Sequence, residues 1–302
     1  MARKGVDRYV EIWGKKSKGI YSQLGYETIS TEQEFFRAFR EGGYGTMSEV
    51  PEGTDIPTTG FTTDKQTDFY WVKRGFGDSR SYESYSTDIY GLTKKISKKL
   101  VKGAQDTRES LSANQFNNMT STAAPYLGMD DVALVSTAHD YSGGTWSNRG
   151  VDVGGSTNVD CDLSAVNLEL AIQKLMDTVN DKGNPDSQDG PYILYVPTAL
   201  AGLANRLTAK LSPKFPGSDV NDGNWGGGFI TKVVVGTWLT DDDAWLLIQA
   251  GEDGNGLFML THEGRLVEKE ISKKRQIVEI FMTEKLSFFC MNPRGIWGSP
   301  GA

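Results

Sequence analysis

Reactive side chains are scarce in this chain: two histidines, His139 and His262, and two cysteines, Cys161 and Cys290. They come closest to a constellation in LVSTAHDYSGGTWSNRG, residues 134–150, where His139 precedes Asp140, Ser142 and the pair Gly143 and Gly144. A general base and its nucleophile must point at one another, which sequence neighbours such as His139, Asp140 and Ser142 rarely do. No G-x-S-x-G elbow exists to expose a serine on a sharp turn. A metal site would have to gather His139, His262, Asp140, Cys161 and Cys290 without an H-E-x-x-H or C-x-x-C anchor. For phosphate, WGKKSKG offers Gly14, Lys15 and Ser17 but lacks the upstream glycine and the contiguous G-K-[ST] of a phosphate loop. GEDGNG, residues 251–256, carries its glycines in the wrong order for a dinucleotide loop and reads as a tight turn. The residues therefore predict no catalytic centre, no cofactor and no metal. The His139 segment reads as a hydrogen-bonded structural loop, in which glutamine should replace His139 at little cost. A cytosolic hydrolase or metalloenzyme built on His139 is the competing reading.

Composition narrows the classes further. A chain of 302 residues can bury one large core or two ordinary ones without covalent staples. Its net charge of -7 speaks against a dedicated nucleic-acid binder and leaves room for a local basic face. No apolar run approaches the roughly 20 residues of a membrane span, and the N-terminal stretch lacks the apolar core of a signal peptide. No membrane contact is expected. The two distant cysteines are expected to be reduced and buried, as in a cytosolic protein.

Periodicity supplies the elements. Residues 1–48 mix basic and aromatic side chains, with a short helix predicted over residues 31–40. Residues 49–78 open with prolines and glycine and then alternate, placing Phe69 and Trp71 on one face and Tyr70 and Val72 on the other. Such a hairpin-like excursion is marginal alone in water and must lie on its own domain or on a neighbour. From residue 81 to 119 no proline appears, and Ile89, Leu92, Ile96, Leu100, Ala104 and Leu111 recur at helical spacing. The result is a beam about 45 to 55 Å long, with a bend or break expected at Gly91 or Gly103. Opposite its apolar stripe, Lys94, Lys98 and Lys102 form a row flanked by Lys95 and Lys99. That face is either solvated or a contact surface.

After Pro125 the pattern becomes α+β. Leu168, Ile172, Leu175 and Val179 share a helical stripe capped by Asp162 or Ser164. YILYVP then runs into a helix whose apolar face is Leu200, Leu203, Ala204, Leu207 and Leu211. GFITKVVVGTWL, AWLLIQA and GLFMLTHE read as short strands of the same domain. The last segment predicts two or three antiparallel strands, with Ile277 and Phe281 turned inward against the long helix.

The stretch MDDVALVSTAHDYSGGTWSNRG resembles the segment that follows the long helix in tailed-phage major capsid proteins, of the Mu-like major head subunit type. The matching positions are Ala133, Leu134, Ser136, Thr137, His139, Gly143, Gly144, Thr145, Ser147 and Asn148. SANQFNNM, DLSAVNLELAIQKL and YILYVPTALAGLANRL, with Val196 and Pro197, are similar to that family's neighbouring landmarks in order and spacing, so the likeness spans about residues 80–215. It implies the α+β Hong Kong 97 capsid fold. Residues 1–48 would be an N-terminal arm and 49–78 an extended β-hairpin loop. Residues 79–124 would hold the spine helix and the first part of a peripheral domain, 125–262 mainly an axial domain, and 263–302 the rest of the peripheral domain. The implied function is self-assembly of pentamers and hexamers into an icosahedral shell around double-stranded DNA in a virion assembled in the host cytoplasm. An encapsulin-like compartment is the related alternative. Packaged DNA would be bound without sequence preference, and portal, scaffold or decoration proteins would be further partners. In that setting Phe69, Tyr70 and Trp71 would form an intersubunit loop. Lys94, Lys95, Lys98, Lys99 and Lys102 would face the lumen or a neighbouring subunit.

Overall fold

Residues 19–42, 49–50, 55, 62–87, 92–141, 143–185, 190–208, 228–250, 256–272 and 274–301 are described by the computed structural model. After a 3-10 turn at Tyr21–Gln23 come β1 (Glu27–Ser30), β2 (Phe35–Gly42), β3 (Thr62–Tyr70) and β4 (Val72–Ser81), then α1 (Tyr82–Ser86) and α2 (Leu92–Asn117). Two small hairpins follow, β5 (His139–Tyr141) with β6 (Gly144–Trp146) and β7 (Val151–Val153) with β8 (Ser156–Val159). The rest is α3 (Ala165–Met176), β9 (Tyr192–Pro197), α4 (Ala201–Thr208), β10 (Ile230–Gly236), β11 (Trp245–Gln249), β12 (Leu257–Ser272), β13 (Ile277–Cys290) and β14 (Ile296–Ser299).

Two four-stranded sheets organise these elements. The long sheet has the order β1-β12-β13-β4 and the central sheet β10-β9-β11-β14. In the central sheet both faces are buried, so β9 reads as six consecutive buried residues. Leu194, Val196, Leu247 and Trp297 pack with Leu168, Ile172 and Leu175 of α3. Ile193, Tyr195, Leu246 and Ile296 turn the other way, toward Phe116, Leu134 and Val135. Ser164 caps α3 by accepting the Asn167 N–H at 3.2 Å, as a serine before an apolar run should. Leu200, Leu203, Ala204 and Leu207 join the same core, while Leu211 lies outside the described residues. Both cysteines are free and buried.

The long helix is real and shorter than its periodicity suggested. Among the described residues it spans 26 residues, about 39 Å, a separate turn, α1, precedes it, and Gly91 lies outside the described residues. Gly103 does not break it. A Cβ there would stand 3.1 Å from the Phe76 ring, so the glycine admits that ring against the helix. Ile96, Leu100, Val101 and Ala104 pack on Ile280 and Met282 of β13, while Phe116 at the other end enters the core of the central sheet.

Three expectations are corrected. Residues 31–40 are not helical: Phe35–Gly42 is a strand paired antiparallel with Thr62–Tyr70. That partner lies far along the chain, where local periodicity cannot see it. The hairpin is accordingly built from 35–42 and 62–70 rather than from 49–78 alone. GLFMLTHE does not belong with the central sheet, since it opens the 16-residue strand β12 of the long sheet. In β13 the inward residues are Val278, Ile280 and Met282, and Phe281 is 37% exposed. The alternation is one residue out of phase with the expected one, which moves every side chain to the opposite face. Gly77 lies opposite Phe281, and a Cβ there would meet the ring at 2.6 Å, so the phenyl lies flat over a glycine on the outer face.

This phase is directly testable by denaturant unfolding. Met282→Ala, at a site 1% exposed, is expected to cost about 2 to 5 kcal/mol. Phe281→Ala should cost no more than about 1 kcal/mol, and the reverse ranking would refute the assigned faces.

Candidate assembly surfaces

The hairpin of β2 and β3 has one face spent on its own chain. Phe36, Ala38 and Phe69 point inward with Met129, Leu260 and Phe289, and the Phe69 and Phe289 rings stack at 4.0 Å. Just past the hairpin, Trp71 stacks on His262 at 4.9 Å and donates its indole N–H to the Gln33 carbonyl at 2.8 Å. Lys285 Nζ lies 4.8 Å from the Trp71 ring centre. His262 faces the Thr31 carbonyl through Nδ1 at 2.7 Å, so that nitrogen carries the hydrogen. Lys65 Nζ donates to the Asp130 carbonyl at 2.8 Å and lies 3.9 Å from Asp140 and 4.0 Å from Asp131. The outer face is different. It carries the Phe35 and Tyr70 pair, a bidentate Arg37–Asp68 bridge at 2.6 and 2.8 Å, and Phe39. Tyr70 is 61% and Phe39 52% exposed. Of the three residues expected to form the loop contact, the chain itself uses Phe69 and Trp71 and leaves Tyr70 uncovered.

Along α2, Lys95, Lys98, Lys99 and Lys102 are exposed. Their spacing of i, i+3, i+4 and i+7 makes one stripe, opposite Leu100 and Ala104. The side chain of Lys94 lies outside the described residues.

His139 is wholly buried and fully engaged. Nδ1 meets Asp130 Oδ2 at 2.5 Å, Nε2 meets Asn148 Oδ1 at 3.0 Å, and Trp146 stacks on the ring at 4.6 Å. The Asn148 amide is oriented by its other partners. Its NH₂ donates to the carbonyls of Leu134 at 2.9 Å and Ile296 at 3.0 Å, and its oxygen accepts the Ser136 N–H at 2.8 Å. The atom facing Nε2 is therefore an acceptor, and Nε2 must donate. The short contact to Asp130 holds a second hydrogen. Burial pushes the Asp130 carboxyl up, but the hydrogen bond and charge of His139, aided by the Val132 N–H, outweigh it and hold the group below its usual range. Asp130 and Asn148 were not singled out as His139 partners from the sequence. Nine residues separate each from the histidine, and only the fold brings them together. With both nitrogens occupied and no exposure, His139 cannot reach a substrate, and Ser142 lies outside the described residues. Among the described residues no three His, Cys, Asp or Glu side chains group closely enough to hold a metal ion, and no helix is long and apolar enough to cross a membrane.

Comparison with known proteins places this architecture. The family described as phage capsid protein matches residues 65–278. The fold also matches the capsid structure of the cyanophage P-SCSP1u at 12% identity, covering 94% of this chain and 88% of that one with a TM-score of 0.56. The capsid of an empty GTA particle matches at 12% identity, with 95% and 91% covered and a TM-score of 0.55. The structure titled Microbacterium phage Oxtober96 matches at 11% identity, with 95% and 92% covered and a TM-score of 0.55. No curated protein sequence matches the chain. An α+β body strung on one long helix, with a hairpin standing off it, is the Hong Kong 97 capsid architecture. The chain belongs to the phage capsid protein family, and it is a major capsid protein, a structural shell-former rather than an enzyme.

The network corrects the expectation for glutamine at position 139. A glutamine amide carries both its donors on one nitrogen, whereas His139 meets Asp130 and Asn148 from two separate ring nitrogens, so glutamine cannot place donors at both positions. His139→Gln should therefore destabilise by about 1 to 3 kcal/mol, measurable by thermal or chemical unfolding. The depressed Asp130 carboxyl contributes stability above its unfolded value near about pH 4, and this is lost as pH falls through the folded value. The stability gap between wild type and Asp130→Asn should accordingly be full at neutral pH and shrink below about pH 4; a gap that grows on acidification would contradict the assignment.

Proposed function

We propose that this chain forms the icosahedral head of a tailed phage around double-stranded DNA, with pentamers and hexamers as its ring-shaped units. The observation that carries this reading is the hairpin of β2 and β3, whose inner face is anchored to the body while its outer face leaves Phe39 and Tyr70 uncovered. An aromatic strip of this kind on a projecting element is a contact awaiting a neighbour. The domain terms then shift slightly: the extended loop is centred on residues 35–70, the peripheral domain combines α2 with the long sheet, and the axial domain surrounds the central sheet. Closed shells need heterologous contacts that close by rotation, and a projecting hairpin meeting a different surface of the next subunit supplies one.

The lysine stripe of α2 is proposed to face the lumen. There it would offset repulsion between a chain of net charge -7 and packed phosphates, through contacts that are salt-sensitive and independent of sequence. Portal, scaffold or decoration proteins would join such a shell as further partners.

Electron microscopy of the purified protein tests the reading. Uniform shells carrying DNA are expected; shells empty of nucleic acid would favour a compartment, and a monodisperse monomer would defeat both. Phe39→Asp with Tyr70→Asp should leave unfolding unchanged and abolish sedimenting shells, whereas normal shells would remove the hairpin face from the interface. Charge reversal of Lys95, Lys99 and Lys102 to glutamate should leave shells that retain less DNA. Failed assembly would instead assign the stripe to a subunit contact.

A further inference from the structure

The hairpin meets the body a second time, away from its aromatic root, and that contact is polar. Lys65 stands on β3 four residues before Phe69, about 13 Å along an extended strand. An ammonium has three N–H donors, and three acceptors surround this one. It donates to the Asp130 carbonyl at 2.8 Å and lies 3.9 Å from the Asp140 carboxylate and 4.0 Å from that of Asp131. The carbonyl it grips is held from behind. The Asp130 carboxylate meets His139 Nδ1 through Oδ2 at 2.5 Å and accepts the Val132 N–H through Oδ1 at 3.3 Å. The Gly128 N–H donates to the Val132 carbonyl at 2.9 Å and the Asp131 N–H to the Gly128 carbonyl at 3.2 Å, which closes the turn around it. The buried His139 network therefore ends, through one backbone carbonyl, on a side chain of the hairpin.

Resting on the shell reading above, we propose that Lys65 is the positioning residue of assembly: it sets the angle at which the hairpin leaves the body, and through that angle the diameter of the shell. The stack of Phe69 on Phe289 holds the root, but apolar burial is non-directional and leaves a ribbon free to swing about it. A second contact about 13 Å away removes that freedom, since a drift of about 1 Å at Lys65 turns the hairpin by about 4°. A charged donor on a carbonyl is suited to the task, being strong and narrow in its geometry. Asp131 and Asp140 keep the ammonium over that carbonyl. Every subunit of a closed shell repeats the same angle toward its neighbour, so the angle fixes where the surface closes. The contact contributes little to folding, because its two carboxylates are 73% and 53% exposed and ion pairs in water are weak. Direction and stability can therefore be separated.

Shell diameter in the full-length chain tests this, read by electron microscopy and sedimentation beside denaturant unfolding. Lys65→Met keeps the stem and removes the charge. It should unfold as wild type does and yield shells of several diameters, or unclosed ones, in place of a single size. Lys65→Arg, which can still donate to the Asp130 carbonyl, should restore the single size. Asp131→Asn combined with Asp140→Asn leaves Lys65 in place and removes what holds it. Asparagine also tolerates the φ of 61° at position 131, and the pair should broaden the diameters as Lys65→Met does. Shells of wild-type size from Lys65→Met would overturn the proposal and leave the shell reading intact. So would loss of all shells in Lys65→Met with normal shells in the double aspartate variant, which would make Lys65 a direct contact to the neighbour. Wild-type chains that never sediment as shells would sink the shell reading first, and this role with it.

Discussion

Everything in the subunit hangs on one helix that is apolar toward two different sheets. The first half of α2 buries Ile96, Leu100, Val101 and Ala104 on the long sheet, and its last turn buries Phe116 in the central one. Asn117, at its end, fixes the turn after β10 by donating to the Trp238 carbonyl and accepting the Thr240 N–H, both at 3.0 Å. The sheets also meet directly, since Leu257 of β12 and Cys290 of β13 share one buried core with Leu246, Ile248 and Ile296 of the central sheet, and the helix spans both. A continuous helix costs little to keep straight once both ends are packed, because each added residue brings its own hydrogen bond. The relative placement of the two sheets is thus set by this shared core together with a rigid rod that packs on both.

Onto this frame the hairpin is mounted by aromatic stacking. Phe69 on Phe289, and Trp71 on His262 under Lys285, fix its root from two sides. Among the described residues the two strands form a sheet of their own, with no third strand paired to them. A two-stranded ribbon is marginal in isolation, so the anchored root matters: it lets the exposed part keep its direction while Phe39 and Tyr70 on its outer face stay exposed. The same chain thereby has a stiff body and an incomplete margin, which is what repeated association into a closed surface requires.

Much of the frame was legible in the sequence because it rests on local patterns. The stripe of α3, the serine cap at 164 and the all-apolar run of β9 each follow from spacing within a dozen residues. What escaped were pairings that only the fold creates. Residues 35–42 have no strand signature until Tyr70, Phe69 and Asp68 stand opposite them. Phe281 looks like a core residue and is exposed, because the phase of a strand depends on which neighbour covers it, and here α2 covers Ile280 and Met282. His139 was legible as a structural residue from the poverty of its surroundings in catalytic motifs. Its partners were not, since Asp130 and Asn148 reach it only after the chain has turned back through the hairpin of β5 and β6.

Buried charge in this subunit follows a pattern of its own. Arg108 bridges Glu284 and donates to the Tyr21 hydroxyl at 3.1 Å, while neighbouring Glu109 accepts the Tyr21 N–H at 3.2 Å. Arg294 donates to Asp181 at 2.7 Å and to the Val179 carbonyl at 2.9 Å. Asp130, His139 and Asn148 join the 128–136 stretch to the first residue of β14. Each group desolvates ions at a cost that apolar packing would avoid. All three, however, hold segments that lack helix or sheet of their own: the start of the described chain, the turn after α3 and the loop before β5. Apolar burial is non-directional and would leave such segments free to slide. Hydrogen bonds tolerate little error in length and angle, and charged ones are the strongest of them. The sheets and helices are therefore positioned by apolar packing, and the irregular segments between them by ionic contacts, so that the surfaces the subunit presents outward keep one shape.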